Sequence, residues 1–165
     1  TDRIGIGGPS AGGGLAAALA LLVRDRGEFE IDYQLLIYPM IDDTRTTVTA
    51  NWDVPVWAPE SNHFGWSSYL GELFESAAVP AHAAPARESN LEGLPPTFIM
   101  VGTLDGFADE DIAYAQRLNH AGVPTELHVY PGAPHGFDGF AASTAVARQA
   151  RSDINAFLGR MLSPS

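Results

Sequence analysis

The 165-residue chain predicts an α/β fold, a parallel sheet of about four strands flanked by helices with an irregular, aromatic-rich insertion. Three observations lead there. Short apolar runs bounded by glycine and proline alternate with longer segments of helical periodicity. The strand-like runs are separated by crossovers long enough to return the chain in parallel. No internal repeat and no obvious linker divides the sequence, so residues 1–165 read as a single domain with 44–94 inserted within it.

The elements follow in order. Arg3 to Gly7 is a short strand, followed at once by a glycine cluster. Ala11 to Arg24 is apolar on almost every side, as expected of a helix laid on a sheet, and Gly27 is its stop. Tyr33 to Tyr38 (Y-Q-L-L-I-Y) is a strand halted by Pro39. Residues 44–94 hold all three tryptophans together with Phe64, Tyr69 and Phe74, interleaved with Pro55, Pro59, Pro80 and Pro85. One helix is expected there, around Trp66 to Glu75. Thr97 to Val101 is a strand entered through Pro95-Pro96. Asp109 to Ala121 is a helix with acidic residues at its start and Gly122 and Pro124 at its end. Thr125 to Tyr130 alternates in the manner of a strand near a sheet edge. Val146, Ala150, Ile154, Phe157, Leu158 and Met161 mark one face of a C-terminal helix.

Composition excludes several functions. The formal charge of −11 disfavours nucleic acid and anionic membrane surfaces as partners. All nine basic residues are arginines, which removes a P-loop lysine and a Schiff-base lysine. With no cysteine there is no disulfide, thiolate metal site or cysteine nucleophile. No apolar run approaches a membrane span and no signal peptide is visible, so a cytoplasmic protein without stable membrane insertion is expected.

The glycine cluster contains Gly8-Pro9-Ser10-Ala11-Gly12, a G-x-S-x-G pattern between a strand and a helix. A serine that must project from so sharp a turn needs small neighbours, and Gly8 and Gly12 supply them. The helix that begins next aims its first N–H groups at the serine, making Ala11 N–H a candidate oxyanion donor. The alternative is a glycine-rich strand–helix turn with no chemistry. A dinucleotide fingerprint anchored at Gly5 and Gly7 fails, because position 10 is serine and no acidic residue stands at the end of the second strand.

A serine hydroxyl needs a base, and the base needs an orienting carboxylate. Parallel strands bring the loops that follow them to one edge of the sheet. The loop after the third strand carries Asp105, with Asp109 as a second candidate that also serves as helix N-terminal charge. The loop after the fourth carries His135. The other histidines fall elsewhere: His128 within a strand as a packed or edge residue, and His63, His82 and His120 on surface segments.

Together these pieces resemble the hormone-sensitive-lipase-like group of α/β-hydrolase carboxylesterases. They are G-P-S-A-G-G-G-L-A-A at 8–17, Y-P-M-I-D at 38–42 and L-E-G-L-P-P-T-F-I at 91–99. They continue with G-T-L-D-G-F-A-D-E-D-I-A-Y-A at 102–115 and P-H-G-F at 134–137. The resemblance implies Ser10 as nucleophile, Asp105 as triad acid and His135 as general base. It further implies short- to medium-chain carboxylic esters as small-molecule substrates, with no metal or cofactor. Pro9 departs from the family, which usually has an acidic residue there. The family's elbow also follows the fifth of eight strands, downstream of an H-G-G-G segment, and here only a few residues precede it. The sequence therefore looks like the C-terminal portion of such an enzyme. A missing N-terminal segment or a homo-oligomeric copy is expected to complete the sheet. The rival reading is a catalytically incomplete fragment acting as a binding or interaction module.

Overall fold

The structure is a computed structural model that describes residues 3–163. Four strands pair in parallel in chain order: β1 (Gly5–Pro9), β2 (Tyr33–Ile37), β3 (Thr97–Leu104) and β4 (Thr125–Pro134). Gly5 sits opposite Tyr33, Gln34 opposite Thr97 and Thr97 opposite Thr125. A register shift lies between Gly102 and Leu104. All four strands thus end at one edge of the sheet. The residues that immediately follow them are Ser10, Tyr38, Asp105 and His135.

Alternation along the strands supplies two cores. Leu36 and Ile99 point to one face, where α1 (Ala11–Arg26) and α3 (Ala108–His120) bury Ala17, Leu21, Tyr114 and Leu118 against them. Ile37, Phe98 and Met100 point to the other, covered by Ala147, Ala150 and Phe157 of α5 (Ala145–Leu162). Each fully buried aliphatic side chain contributes about 1.5–3 kcal/mol relative to exposure. The apolar character of α1 on all sides is matched by its burial only in part, since Leu15 and Leu19 remain exposed. The α1 glycines permit a close approach: a Cβ at Gly14 would overlap the Met40 carbonyl oxygen.

The crossover from β2 to β3 is mostly irregular, with α2 (Pro59–Leu70) and three 3-10 turns. The helix expected around Trp66 to Glu75 lies earlier. Pro59 occupies its first turn, where a missing N–H costs nothing, and Gly71 at φ 55 ends it. Trp66, Leu70, Met40 and Phe107 form a third cluster. An ion pair fastens the crossover: Arg87 donates from Nε to Asp43 Oδ1 at 2.6 Å and from Nη2 to Oδ2 at 2.8 Å. Nη2 also donates to the Ser76 carbonyl at 3.1 Å. Asp43 is buried, and the Arg87 guanidinium is raised above its ordinary value chiefly by this bond.

β3 and β4 run past the expected ends at Val101 and Tyr130, and Leu104 pairs with Pro134 beyond the register shift. This extension carries Asp105 and His135 side by side to the sheet edge.

Candidate active site

Ser10 sits at φ 56 and ψ −124, a backbone conformation that a residue with a side chain rarely adopts and that costs of order 1–3 kcal/mol. Its neighbours hold it there. Ser10 N–H donates to the Ile37 carbonyl at 2.9 Å, and the Ser10 carbonyl accepts from Met40 N–H and Gly14 N–H, each at 3.1 Å. The steric demand for glycine falls on Gly8, where a Cβ would come within 2.6 Å of Gly12 backbone. A Cβ at Gly12 would meet only Pro9 Cδ, at an ordinary 3.6 Å. Of the two glycines flanking the elbow, the close packing therefore requires the first.

Three side chains from three loops meet. Ser10 Oγ lies 2.9 Å from His135 Nε2, and His135 Nδ1 lies 2.8 Å from Asp105 Oδ2. A carboxylate accepts only, so Nδ1 carries the proton and Nε2 is free to accept from the serine hydroxyl. Asp105 is itself oriented by Phe107 N–H, which donates to Oδ1 at 3.0 Å, and it is fully buried. Ala11 N–H lies in the first turn of α1, where backbone donors have no intrahelical acceptor. Asp109 takes no part: it accepts from Thr49 N–H at 3.0 Å, fastening the crossover to α3. His63, His82 and His120 lie at the surface. His128 is stacked on Phe98 and Tyr130, with Nε2 at 2.7 Å from Glu126. Among the described residues no three His, Asp or Glu side chains gather into a group fit to hold a metal, and no helix is long and apolar enough to cross a membrane.

The imidazole lies among aromatic rings. Tyr38 and Phe107 meet it edge-on at 4.6 and 5.2 Å between centroids, and Trp57 lies tilted to it by 33° at 6.2 Å. Tyr38 OH donates to Asp138 Oδ1 at 2.8 Å, and the phenol's pKa is raised by burial and then by that carboxylate. Beside Ala11 opens a mostly apolar cavity of about 180 Å³, walled by Leu15, Met40, Trp57, Trp66 and Tyr69. Its aromatic wall comes from the crossover.

Glu110 and Asp111 stand in the first turn of α3, as the acidic start of that helix led one to expect. Both are buried. Glu110 Oε1 accepts from Ile41 N–H at 3.0 Å and Asp42 N–H at 3.1 Å, whereas Glu110 Oε2 and both Asp111 oxygens have no partner. Desolvation raises both acids well above the ordinary carboxylate range, and their neighbouring carboxylates add to the rise. A signal for Asp111 was present in the sequence. It shares the i, i+3, i+4, i+7 stripe with Tyr114, Ala115 and Leu118, all buried.

The chain is similar to known proteins along most of its length. A family model described as alpha/beta hydrolase fold matches residues 1–139. Esterase LipI of Mycobacterium tuberculosis is 37% identical over 150 residues, covering 90% of this chain and 47% of that protein. Carboxylesterase NlhH of Mycobacterium tuberculosis is 34% identical over 165 residues, covering 98% of this chain and 51% of that protein. Among solved structures, a bacterial heroin esterase superposes with a TM-score of 0.95 at 41% identity, over 98% of this chain and 52% of that one. The chain spans about half the length of the relatives it matches.

Proposed function

Since the chain belongs to the alpha/beta hydrolase fold family, within its hormone-sensitive-lipase-like group, we propose that the protein containing it hydrolyses carboxylic esters, with Ser10 as nucleophile, His135 as general base and acid, and Asp105 as orienting carboxylate. The observation that carries this is the continuous path Ser10 Oγ, His135 Nε2, His135 Nδ1, Asp105 Oδ2, at 2.9 and 2.8 Å. The names of the similar proteins, esterase and carboxylesterase, support the substrate class. Short- to medium-chain acyl groups suit the apolar cavity of about 180 Å³ beside Ala11, whose wall is largely aromatic.

In this mechanism His135 Nε2 takes the hydroxyl proton as Ser10 Oγ bonds to the ester carbonyl carbon. The buried Asp105 carboxylate keeps the imidazole in the required tautomer and compensates the imidazolium that forms. Charge on the carbonyl oxygen falls to Ala11 N–H at the start of α1. His135 returns its proton to the departing alkoxide, and the C–O bond breaks to leave an acyl-serine. Water, deprotonated by the same nitrogen, then releases the acid and restores Ser10. Residues 1–165 are read as one catalytic domain with 44–94 as an insertion that walls the cavity.

The test is turnover of p-nitrophenyl acetate and butyrate by wild type and Ser10→Ala, with fluorophosphonate labelling of the serine. Ser10→Ala is expected to lose at least about 10³-fold in kcat and all labelling. Turnover indifferent to that substitution would overturn the assignment.

A further inference from the structure

Of the four residues that directly follow the strands, three form the hydrogen-bonded path and the fourth is Tyr38. Its backbone is unusual, with φ 36 placing a bulky aromatic residue in the left-handed region. Such a conformation persists where surrounding contacts over-determine it, and here they do. Tyr38 N–H donates to the Met100 carbonyl at 2.7 Å, and the ring is buried. The hydroxyl reaches across the strand ends to Asp138 Oδ1 at 2.8 Å.

Asp138 stands three residues after His135, in the short helix α4 (Phe137–Phe140) entered through Gly136 at φ 71. The tyrosine therefore grips the His135 loop twice, by ring contact with the imidazole and by its hydroxyl on the turn beyond. The neighbours of Tyr38 in the chain meanwhile hold the serine. The Ile37 carbonyl accepts from Ser10 N–H, and Met40 N–H donates to the Ser10 carbonyl. One four-residue segment thus fixes the backbone of Ser10 from its main chain and the loop of His135 from a side chain.

We propose that Tyr38 and Asp138 form a latch that holds His135 in reach of Ser10, which makes both positioning residues for the hydrolytic reaction. This rests on the function proposed above. Neither side chain need touch substrate; their effect passes through the Ser10 to His135 distance, to which proton transfer is steeply sensitive.

The experiment compares Tyr38→Phe, Asp138→Ala, the double variant and Asp138→Asn with wild type, on p-nitrophenyl acetate at 25 °C, with folding checked by thermal melting. Tyr38→Phe and Asp138→Ala are each expected to lose about tenfold in kcat with KM within about twofold, since ground-state binding is untouched. The double variant loses no more than either single, because both remove the same contact. Asp138→Asn keeps kcat within about threefold of wild type, as its amide oxygen still accepts a hydrogen bond from the phenol, though a weaker one. Unchanged kcat in both singles, multiplicative losses, or losses confined to KM would overturn the latch. A second readout separates it from the hydrolase assignment. The downfield proton resonance of His135 Nδ1–H in the Asp105 hydrogen bond is followed by NMR, whether or not wild type turns over ester. Broadening or loss in Tyr38→Phe and Asp138→Ala, with recovery in Asp138→Asn, supports the latch, and an unaltered resonance overturns it. An enzyme without Ser10-dependent turnover but with this NMR pattern would retain the latch and lose the proposed function.

Discussion

His135 Nδ1 and Asp105 Oδ2 lie 2.8 Å apart with both side chains withdrawn from solvent, so the carboxylate has no competing water and the imidazole one orientation. Asp105→Asn presents an amide that can donate as well as accept and permits the wrong tautomer. It is expected to lower kcat on p-nitrophenyl butyrate by about 10³- to 10⁴-fold with little change in melting temperature. A loss under tenfold in a folded variant would remove Asp105 from the mechanism.

Glu110 and Asp111 make stability depend on pH in a definite direction. Both acids are raised in the folded state from ordinary values of 4.5 and 3.8. The unfolded chain therefore releases their protons first as pH rises. Their stabilising contribution is full below about pH 4 and falls away as pH climbs toward the folded-state values. Asp111→Asn, which has no proton to lose, should flatten the decline in melting temperature between pH 5 and pH 8. The difference from wild type should grow steadily as pH rises. Parallel melting curves across that range would count against the buried neutral acids.

Much of the fold was legible because it rests on local signals. The four strands announce themselves as short apolar or alternating runs, two of them bounded by Pro39 or by Pro95-Pro96, and α1, α3 and α5 by stripes and stops. The strand ends were less legible. β4 continues through Pro131 and Pro134, residues that usually end pairing, because the register shift at β3 accommodates them. The bounds of the crossover helix were not legible either, since Pro59 opens it well before Trp66 and Gly71 ends it before Phe74. The convergence of Ser10, Asp105 and His135 at one sheet edge was readable from motif and loop order. Tyr38 was not, since its partner lies 100 residues away and only the strand order brings the two together.

The Arg87 to Asp43 pair supplies a third prediction. Asp43 is 2% exposed, so Arg87→Met leaves a buried carboxylate without its two donors. The expected cost is about 3–5 kcal/mol, read by urea denaturation. Arg87→Lys should recover less than half of it, because one ammonium cannot reproduce the paired guanidinium bonds. Arg87→Met combined with Asp43→Leu should be more stable than Arg87→Met alone. If it is not, desolvated charge is not the source of the loss.

Two glycine-to-alanine changes in helices should have opposite signs. At Gly14 the new methyl group overlaps the Met40 carbonyl oxygen, and α1 must move off β2 to admit it. Even after alanine's better helix propensity, Gly14→Ala should destabilise by about 2 kcal/mol. At Gly159 in α5 nothing lies within 4 Å of the added atom. Gly159→Ala should stabilise by about 0.5–1 kcal/mol. Thermal melts of the two variants decide both, and like signs would contradict the packing described.

The crossover between β2 and β3 divides labour within the chain. Ser10, Asp105 and His135 come from the loops after β1, β3 and β4, whereas Trp57, Trp66 and Tyr69 of the cavity wall come from the crossover. What a pocket admits and how its contents react are thus written in separable stretches of sequence. In the proposed hydrolase, a change at Trp66 or Tyr69 would reshape the cavity without replacing any member of the path from Ser10 through His135 to Asp105.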